Sequence, residues 1–273
     1  MTIRRFLRES LAKTHRWGVA ITLIVLVIVA VVTAREWDTF STFPWEIKWP
    51  YILLGMMIHS LALGTMFLVW HGMMSTLTRS HQWRQDFQIY SISLLARRIP
   101  LPIWYVGSRL ILYQQKQVPI TKTASATVLE TALITISGLI CYSLFPEPTT
   151  KKWLLAPVLC ITGFFVLLMA FAPNLFVRII NAILVNLNKA PIKQTLSRPQ
   201  LLTWITFYLG TWVLDGFGLY ITTIALTGVS ISPTTVIGIS TVSALVAILS
   251  LLMPFGFGLK ELTLSALISA YLP

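Results

Sequence analysis

Long apolar runs alternate with short intervals rich in basic residues along this chain. About 20 helical apolar residues cross the roughly 30 Å hydrocarbon core of a bilayer. Residues 17–34, 51–71, 123–145, 153–172, 201–226 and 229–254 approach or exceed that measure and predict about six full spans. Residues 87–113 and 254–273 are also apolar, but each is interrupted. The first carries Arg97, Arg98, Pro100, Pro102, Gly107 and Arg109; the second carries Pro254, Gly256, Gly258, Lys260 and Glu261. Proline removes a backbone donor and glycine permits unusual dihedrals, so the helix breaks at both places. Lipid tolerates freed backbone groups and charges only where protein or a water-filled cavity surrounds them. The pattern predicts an all-α fold: a polytopic integral membrane helix bundle, one domain over 1–273, with two re-entrant or broken helical segments. Such segments near both ends point to a site that holds a polar or charged group within the bilayer.

Composition agrees. The 273 residues are 56% hydrophobic and 11% charged, with a mean hydropathy of +0.77, whereas a soluble domain carries about 25% charged residues. The net charge of +12 does not imply nucleic acid, because the basic residues lie between apolar runs and no groove-binding or stacking module is visible. They read as topology signals and as attraction to anionic headgroups. Residues 17–34 resemble a signal peptide but reach spanning length, and a retained first helix is expected. Residues 261–273 are too few to cross, so the last helix is expected to be re-entrant or cut short.

Basic residues also set the expected orientation. Arg4, Arg5, Arg8, Lys13 and Arg16 precede the first span and place the N-terminus in the cytoplasm. If 87–113 enters and leaves on one side, then Arg79, Arg84, Arg97, Arg98, Arg109, Lys116 and Lys122 all fall on the cytoplasmic half. Arg178, Lys189, Lys193, Arg198 and Lys260 join them, leaving Arg35, Lys48, Lys151 and Lys152 outside. A full crossing by 87–113 would instead export the basic interval 174–200. The charge pattern therefore favours a cytoplasm-facing hairpin, independently of the prolines. Trp37, Trp45 and Trp49 suit an outer aromatic belt. Phe176, Ile179, Ile180, Ile183, Leu184 and Leu187 recur at helical spacing and predict an amphipathic helix over 174–189, either in the inner interface or linking halves of the bundle.

Few residues could carry chemistry. Glu130 stands inside an apolar run, where an acid needs a cation, and Arg109 is a plausible partner across the Val118-Pro119 turn. The pair could be structural glue or could contact substrate directly. Asp215 lies mid-span beside Gly216 and Gly218, suited either to cation or proton binding or to helix packing. Lys260 and Glu261 open a helix after the Pro-Gly break, where free N–H groups and the positive dipole end suit a phosphate or carboxylate; Arg109 is the expected opposing cation. Arg97 and Arg98 could bind phosphate or extend to inner headgroups. His59 and His71 share no metal-ligand spacing and read as packed, hydrogen-bonded side chains. Cys141 and Cys160 sit in separate runs with neither disulfide nor metal spacing. No Ser-His-Asp, HExxH, GxSxG, Walker or GxGxxG arrangement occurs, which weighs against a self-contained hydrolase or an ATP-driven pump. No cofactor or metal is implied.

The order of an Arg98-Ile99-Pro100-Leu101-Pro102 break, then Gly107-Ser108-Arg109, then a Thr/Ala-rich span carrying Glu130 is distinctive. Near the end comes Met253-Pro254-Phe255-Gly256-Phe257-Gly258-Leu259-Lys260-Glu261. This resembles the lysylphosphatidylglycerol synthase transmembrane-region family, a flippase-like domain. The family typically has a basic Pro-Gly re-entrant stretch, an Arg followed about twenty residues later by a Glu, and a Pro-Gly-Gly-Leu-Gly-x-Arg-Glu signature. The likeness runs over nearly the whole chain, with its specificity in two short motifs. Phe255 and Phe257 stand where the family is smaller, and Lys260 stands where Arg is common. The chain also ends where the family usually adds helices.

The resemblance implies a lipid substrate with an anionic headgroup and translocation of an aminoacylated, glycosylated or polyprenyl-linked lipid at the plasma membrane. Arg97, Arg98, Arg109, Glu130, Asp215, Gly256, Gly258, Lys260 and Glu261 are the candidate lipid-binding residues. The synthase's soluble aminoacyl-transferase domain has no counterpart here, so synthesis of lysyl-lipid is not expected. A membrane-embedded transferase using Asp215 or Glu130 as base, or an accessory protein of a lipid-linked glycan pathway, remains the alternative. A second copy or a partner membrane protein is an open possibility.

Overall fold

The computed structural model describes residues 47–79, 81–96, 103–148, 152–186, 191–192, 196–250 and 259–271, with scattered positions between 27 and 42. Among the described residues the structure is helical, without strands. The α-helices are α1 Trp37–Thr42, α2 Trp49–Thr78, α3 Trp83–Ala96, α4 Ile103–Gln115, α5 Ile120–Leu144, α6 Lys152–Phe171, α7 Pro173–Asn186, α8 Arg198–Thr227, α9 Pro233–Ser250 and α10 Leu259–Ile268. A short 3-10 turn, Ser269–Tyr271, follows α10.

Three of these, α2, α5 and α8, are long and apolar enough to cross a membrane. α2 and α8 have 30 residues each, about 45 Å at 1.5 Å per residue. α8 starts with a capping box, in which the Ser197 hydroxyl accepts from the Gln200 backbone N–H and the Gln200 side chain accepts from the Ser197 N–H. It ends at Gly228, whose φ of 67° closes the helix in the left-handed region. α6 and α7 make a fourth span only if taken together, since they bend by 112° around Ala172 and Pro173. The structure thus supplies three or four membrane-length helices among the described residues, against the six expected. Within the run at 229–254, α9 begins only at Pro233, and its described part covers 18 residues; residues 251–254 lie outside the described set. The predicted span 17–34 lies largely outside the described residues.

Antiparallel packing of α2 on α8 organises the bundle. Gly55 meets Gly218 and Thr222, His59 meets Asp215, Thr65 Oγ1 lies 2.7 Å from Thr211 Oγ1, and Gly72 meets Trp204. The backbones approach closely at Gly55, where a Cβ would sit 2.6 Å from Thr222 Oγ1 and 3.3 Å from the Gly218 carbonyl oxygen. With no hydrophobic drive between helices in lipid, small residues and interhelical hydrogen bonds hold such a crossing. Gly216 makes the same kind of contact with Ile237 on α9.

α5 is the most enclosed span, with 61% of its apolar window buried against 28% for α2. It is antiparallel to α9: Gly138 meets Leu245, Thr241 Oγ1 donates to Cys141 Sγ at 3.5 Å, and Gly238 abuts Phe145. α9 is in turn antiparallel to α8, pairing Ile237 with Gly216 and Ser240 with Asp215. Hence α5 runs with α8 and against α2.

That direction bears on residues 87–113. A single crossing there would make α5 parallel to α2. Instead α3 and α4 fold back on each other: Tyr113 bonds to Asp86 near the open end, and Arg109 bonds to Ser93 farther in. At 14 and 13 residues, roughly 20 Å each, neither arm crosses alone. α3 and α4 therefore pack antiparallel; the residues 97–102 between them lie outside the described set. α9 and α10 form a second antiparallel pair at the opposite end of α5, where Tyr271 donates to Glu147 at 2.8 Å. α7 buries Phe176, Ile180 and Leu184 in the main core and leaves Ile183 exposed, so it packs on the bundle. Asn181 secures the chain after it by pairing with both the N–H and the carbonyl of Ile192.

Candidate functional site

Among the described residues, two clusters of ionisable side chains lie within the bundle. The first joins the α3–α4 hairpin to α2 and α5. Arg109 is wholly buried, at 0% exposure. Its Nη1 and Nη2 donate to the two Glu130 carboxylate oxygens, and its Nε donates to Ser93 Oγ at 2.9 Å. The guanidinium carbon lies 3.9 Å from the Trp70 ring centroid, 4.2 Å from that of Tyr105 and 4.7 Å from that of Tyr90. Three aromatic faces and a bidentate carboxylate replace the water that a buried guanidinium would otherwise need. Tyr105 also donates to Glu130 Oε2 at 3.3 Å.

A hydrogen-bond chain extends this cluster. Trp70 Nε1 donates to Tyr113 Oη at 2.9 Å, Tyr113 donates to Asp86 Oδ1 at 2.7 Å, and His71 Nδ1 lies 2.7 Å from Asp86 Oδ2. The network ties both hairpin arms to α2. Arg109 and Glu130 therefore do meet, in a dry setting that a headgroup does not reach in this conformation. The geometry is that of a structural tie.

The second cluster is more open and draws on four helices. His59 of α2 places Nδ1 2.8 Å from Asp215 Oδ1 of α8. Ser240 of α9 donates to Asp215 Oδ2 at 3.0 Å. The Lys260 ammonium, in the first turn of α10, lies within electrostatic range of the same carboxylate. The His59 side chain is 49% exposed and that of Asp215 22%. The close approach of Gly55 to α8 brings the two backbones together one turn away. Along α8, Asp215 stands about 10 Å from Tyr208, which lies beside the Arg109 cluster.

The sequence-derived candidates are thereby sorted. Arg109 joins Glu130, and His59 joins Asp215. Arg109 is held by Glu130 in the sealed cluster, apart from the more open cluster around Asp215. Glu261 is exposed beside Lys260. Arg97, Arg98, Gly256 and Gly258 lie outside the described residues. Sequence reasoning missed Asp86, whose partners come from α2 and α4, and the link from His59 to Asp215. The signal for His59 and Asp215 was the cost of an ionisable group in an apolar run; Asp86, in the polar stretch before the run at 87–113, offered none. No group of three or more His, Cys, Asp or Glu side chains that could hold a metal occurs among the described residues.

These features define a helical bundle with membrane-length apolar helices, a sealed ion pair and a half-open ionisable cluster between spans. The chain matches no family model, no curated protein and no solved structure.

Proposed function

We propose that this protein binds a lipid with a charged headgroup part-way along its bundle and passes it between leaflets of the plasma membrane, with the N-terminus cytoplasmic. The observation that carries this reading is the half-open His59–Asp215–Ser240–Lys260 cluster inside apolar helices. Ionisable groups within a span are costly, and where they are accessible they mark a substrate or ion path. Lys260 stands in the first turn of α10, after the Pro- and Gly-containing stretch 254–258 of the sequence, and an ammonium at a helix N-terminus suits a lipid phosphate. The resemblance to the lysylphosphatidylglycerol synthase transmembrane region points the same way.

The test uses purified protein in phosphatidylcholine vesicles containing acyl-labelled fluorescent phosphatidylglycerol. Dithionite bleaches only outer-leaflet label, so movement appears as loss of the protected half. The wild type should render nearly all label bleachable, and Lys260→Ala should slow this at least about tenfold, the equivalent of about 1.4 kcal/mol, while eluting as a folded species. Movement no faster than in protein-free vesicles would reject the reading.

A further inference from the structure

One face of α8 looks out of the bundle near the start of the helix. Pro199, Leu202, Thr203, Thr206 and Phe207 line a shallow surface groove there, and they recur at the three- and four-residue spacing of a single helix face. The groove measures about 380 Å³, within the roughly 300–1,000 Å³ that hold a small ligand. Leu202 and Phe207 are 45% and 40% exposed, and both threonines are exposed with them. A Cβ at Gly210, one turn beyond Thr206, would meet nothing within 4 Å. Among the described residues, then, no other helix covers this stripe.

Hydroxyls and charge indicate what the stripe receives. Thr211, Thr222, Thr223 and Thr227 of α8 each donate to the carbonyl oxygen four residues back, the usual way for a hydroxyl to be satisfied on a helix. Thr203 and Thr206 make no hydrogen bond among the described residues. A hydroxyl left unpaired against lipid is costly, so both are open to an acceptor that the bilayer supplies. Arg198, one turn before Leu202, is exposed. Its Nη2 donates to the Phe171 carbonyl oxygen at 3.3 Å, which anchors it at the end of α6. No carboxylate pairs with it among the described residues. The interval 174–200 carries Arg178, Lys189, Lys193 and Arg198 and no acid. α8 has 30 residues, about 45 Å against the roughly 30 Å hydrocarbon core, so its first turns reach headgroup depth. Thr203 and Thr206 lie about 8 and 12 Å farther along the axis than Arg198.

We propose that this face of α8 binds one anionic phospholipid of the surrounding bilayer, at a site separate from the Asp215 cluster. The phosphate sits on Arg198, which keeps guanidinium N–H groups beyond the one given to Phe171. The ester carbonyl oxygens accept from Thr203 and Thr206, and an acyl chain lies along Phe207 and Gly210. From Arg198 to Gly210 the face passes from charged, through hydroxylic, to apolar within about 18 Å. A phospholipid presents its phosphate, esters and chain in the same order, whereas the packing face of a second apolar helix has no need of it. Because Arg198 also holds the end of α6, an occupied site ties α8 to the turn between α6 and α7. The site stands whether or not the protein moves lipid between leaflets.

Photo-cross-linking tests it. The full chain in mixed micelles is irradiated with phosphatidylglycerol bearing a diazirine on one acyl chain, then digested and mapped by mass spectrometry. Label should concentrate on residues 202–210. Unlabelled phosphatidylglycerol should displace it about tenfold better than phosphatidylcholine does, as expected for one hydrogen bond to a charged group. Arg198→Gln should erase that preference. Thr203→Val combined with Thr206→Val keeps the side-chain shapes and should weaken capture of diazirine-labelled phosphatidylglycerol and phosphatidylcholine alike, because both carry the esters. Equal displacement by the two lipids on the wild type would make this face ordinary lipid-contacting surface and overturn the proposal. Label confined to other helices, with the protein dimeric in the same micelles, would overturn it too, since a second copy would then cover the stripe. The wild-type competition decides by itself should a variant not fold.

Discussion

Replacing Glu130 by Gln tests the sealed cluster most directly. Arg109 has no exposure, and its guanidinium gives two of its nitrogens to Glu130 and one to Ser93. In Glu130→Gln the shape is kept but the countercharge is lost, leaving a cation among Trp70, Tyr90 and Tyr105. Breaking a buried pair by removing one partner costs about 3–5 kcal/mol. The three rings still face the cation, and a desolvated cation–π contact is worth about 2 kcal/mol, so the expected loss is near the lower bound, about 3 kcal/mol. Arg109→Met should lose a similar amount by leaving the carboxylate buried without its cation. The double variant carries no buried charge and should fall about 2 kcal/mol short of the sum of the single losses. Unfolding in mixed micelles by added ionic detergent, followed by tryptophan fluorescence, measures all four proteins. Raising salt to about 1 M should leave the coupling intact, because a buried pair is poorly screened. Additivity within about 0.5 kcal/mol would refute the claim that this pair holds the hairpin to α5.

Other outcomes follow from the same geometry. Tyr113→Phe leaves the Trp70 N–H and one Asp86 oxygen unpaired and should cost about 1–3 kcal/mol in the same unfolding assay. Gly238→Ala puts a Cβ 2.3 Å from the Phe145 carbonyl oxygen and should cost about 1–3 kcal/mol by overpacking. Gly64→Ala, with nothing within 4 Å of its Cβ, should instead stabilise α2 by roughly 0.5–1 kcal/mol. Cysteines placed at Arg84 and Lys116, at the two open ends of the hairpin, should both react with an impermeant maleimide from the cytoplasmic face; labelling from opposite faces would exclude the hairpin topology.

The sequence by itself determined the class of structure. A chain so apolar, with charges gathered between runs, has to satisfy its backbone internally, and helices do that locally. It also pointed to arms that double back over 87–113, since proline and charge balance both disfavour a crossing there, and the antiparallel course of α5 and α2 agrees. The partnership of Arg109 and Glu130 was legible because a lone acid in an apolar run needs a cation, and one stood just across a turn. Only the tertiary structure decided the rest. Where α9 starts, and how sharply α6 turns into α7, depend on packing that hydropathy does not encode. Asp86 gains its partners only because α2 and α4 bring His71 and Tyr113 to it. His59 and Asp215 are far apart in the chain, and the glycine contact between α2 and α8 makes them neighbours. Charge in an apolar setting announces the need for a partner, but which partner answers is settled by helix crossings, and these depend on side chains far apart in the sequence.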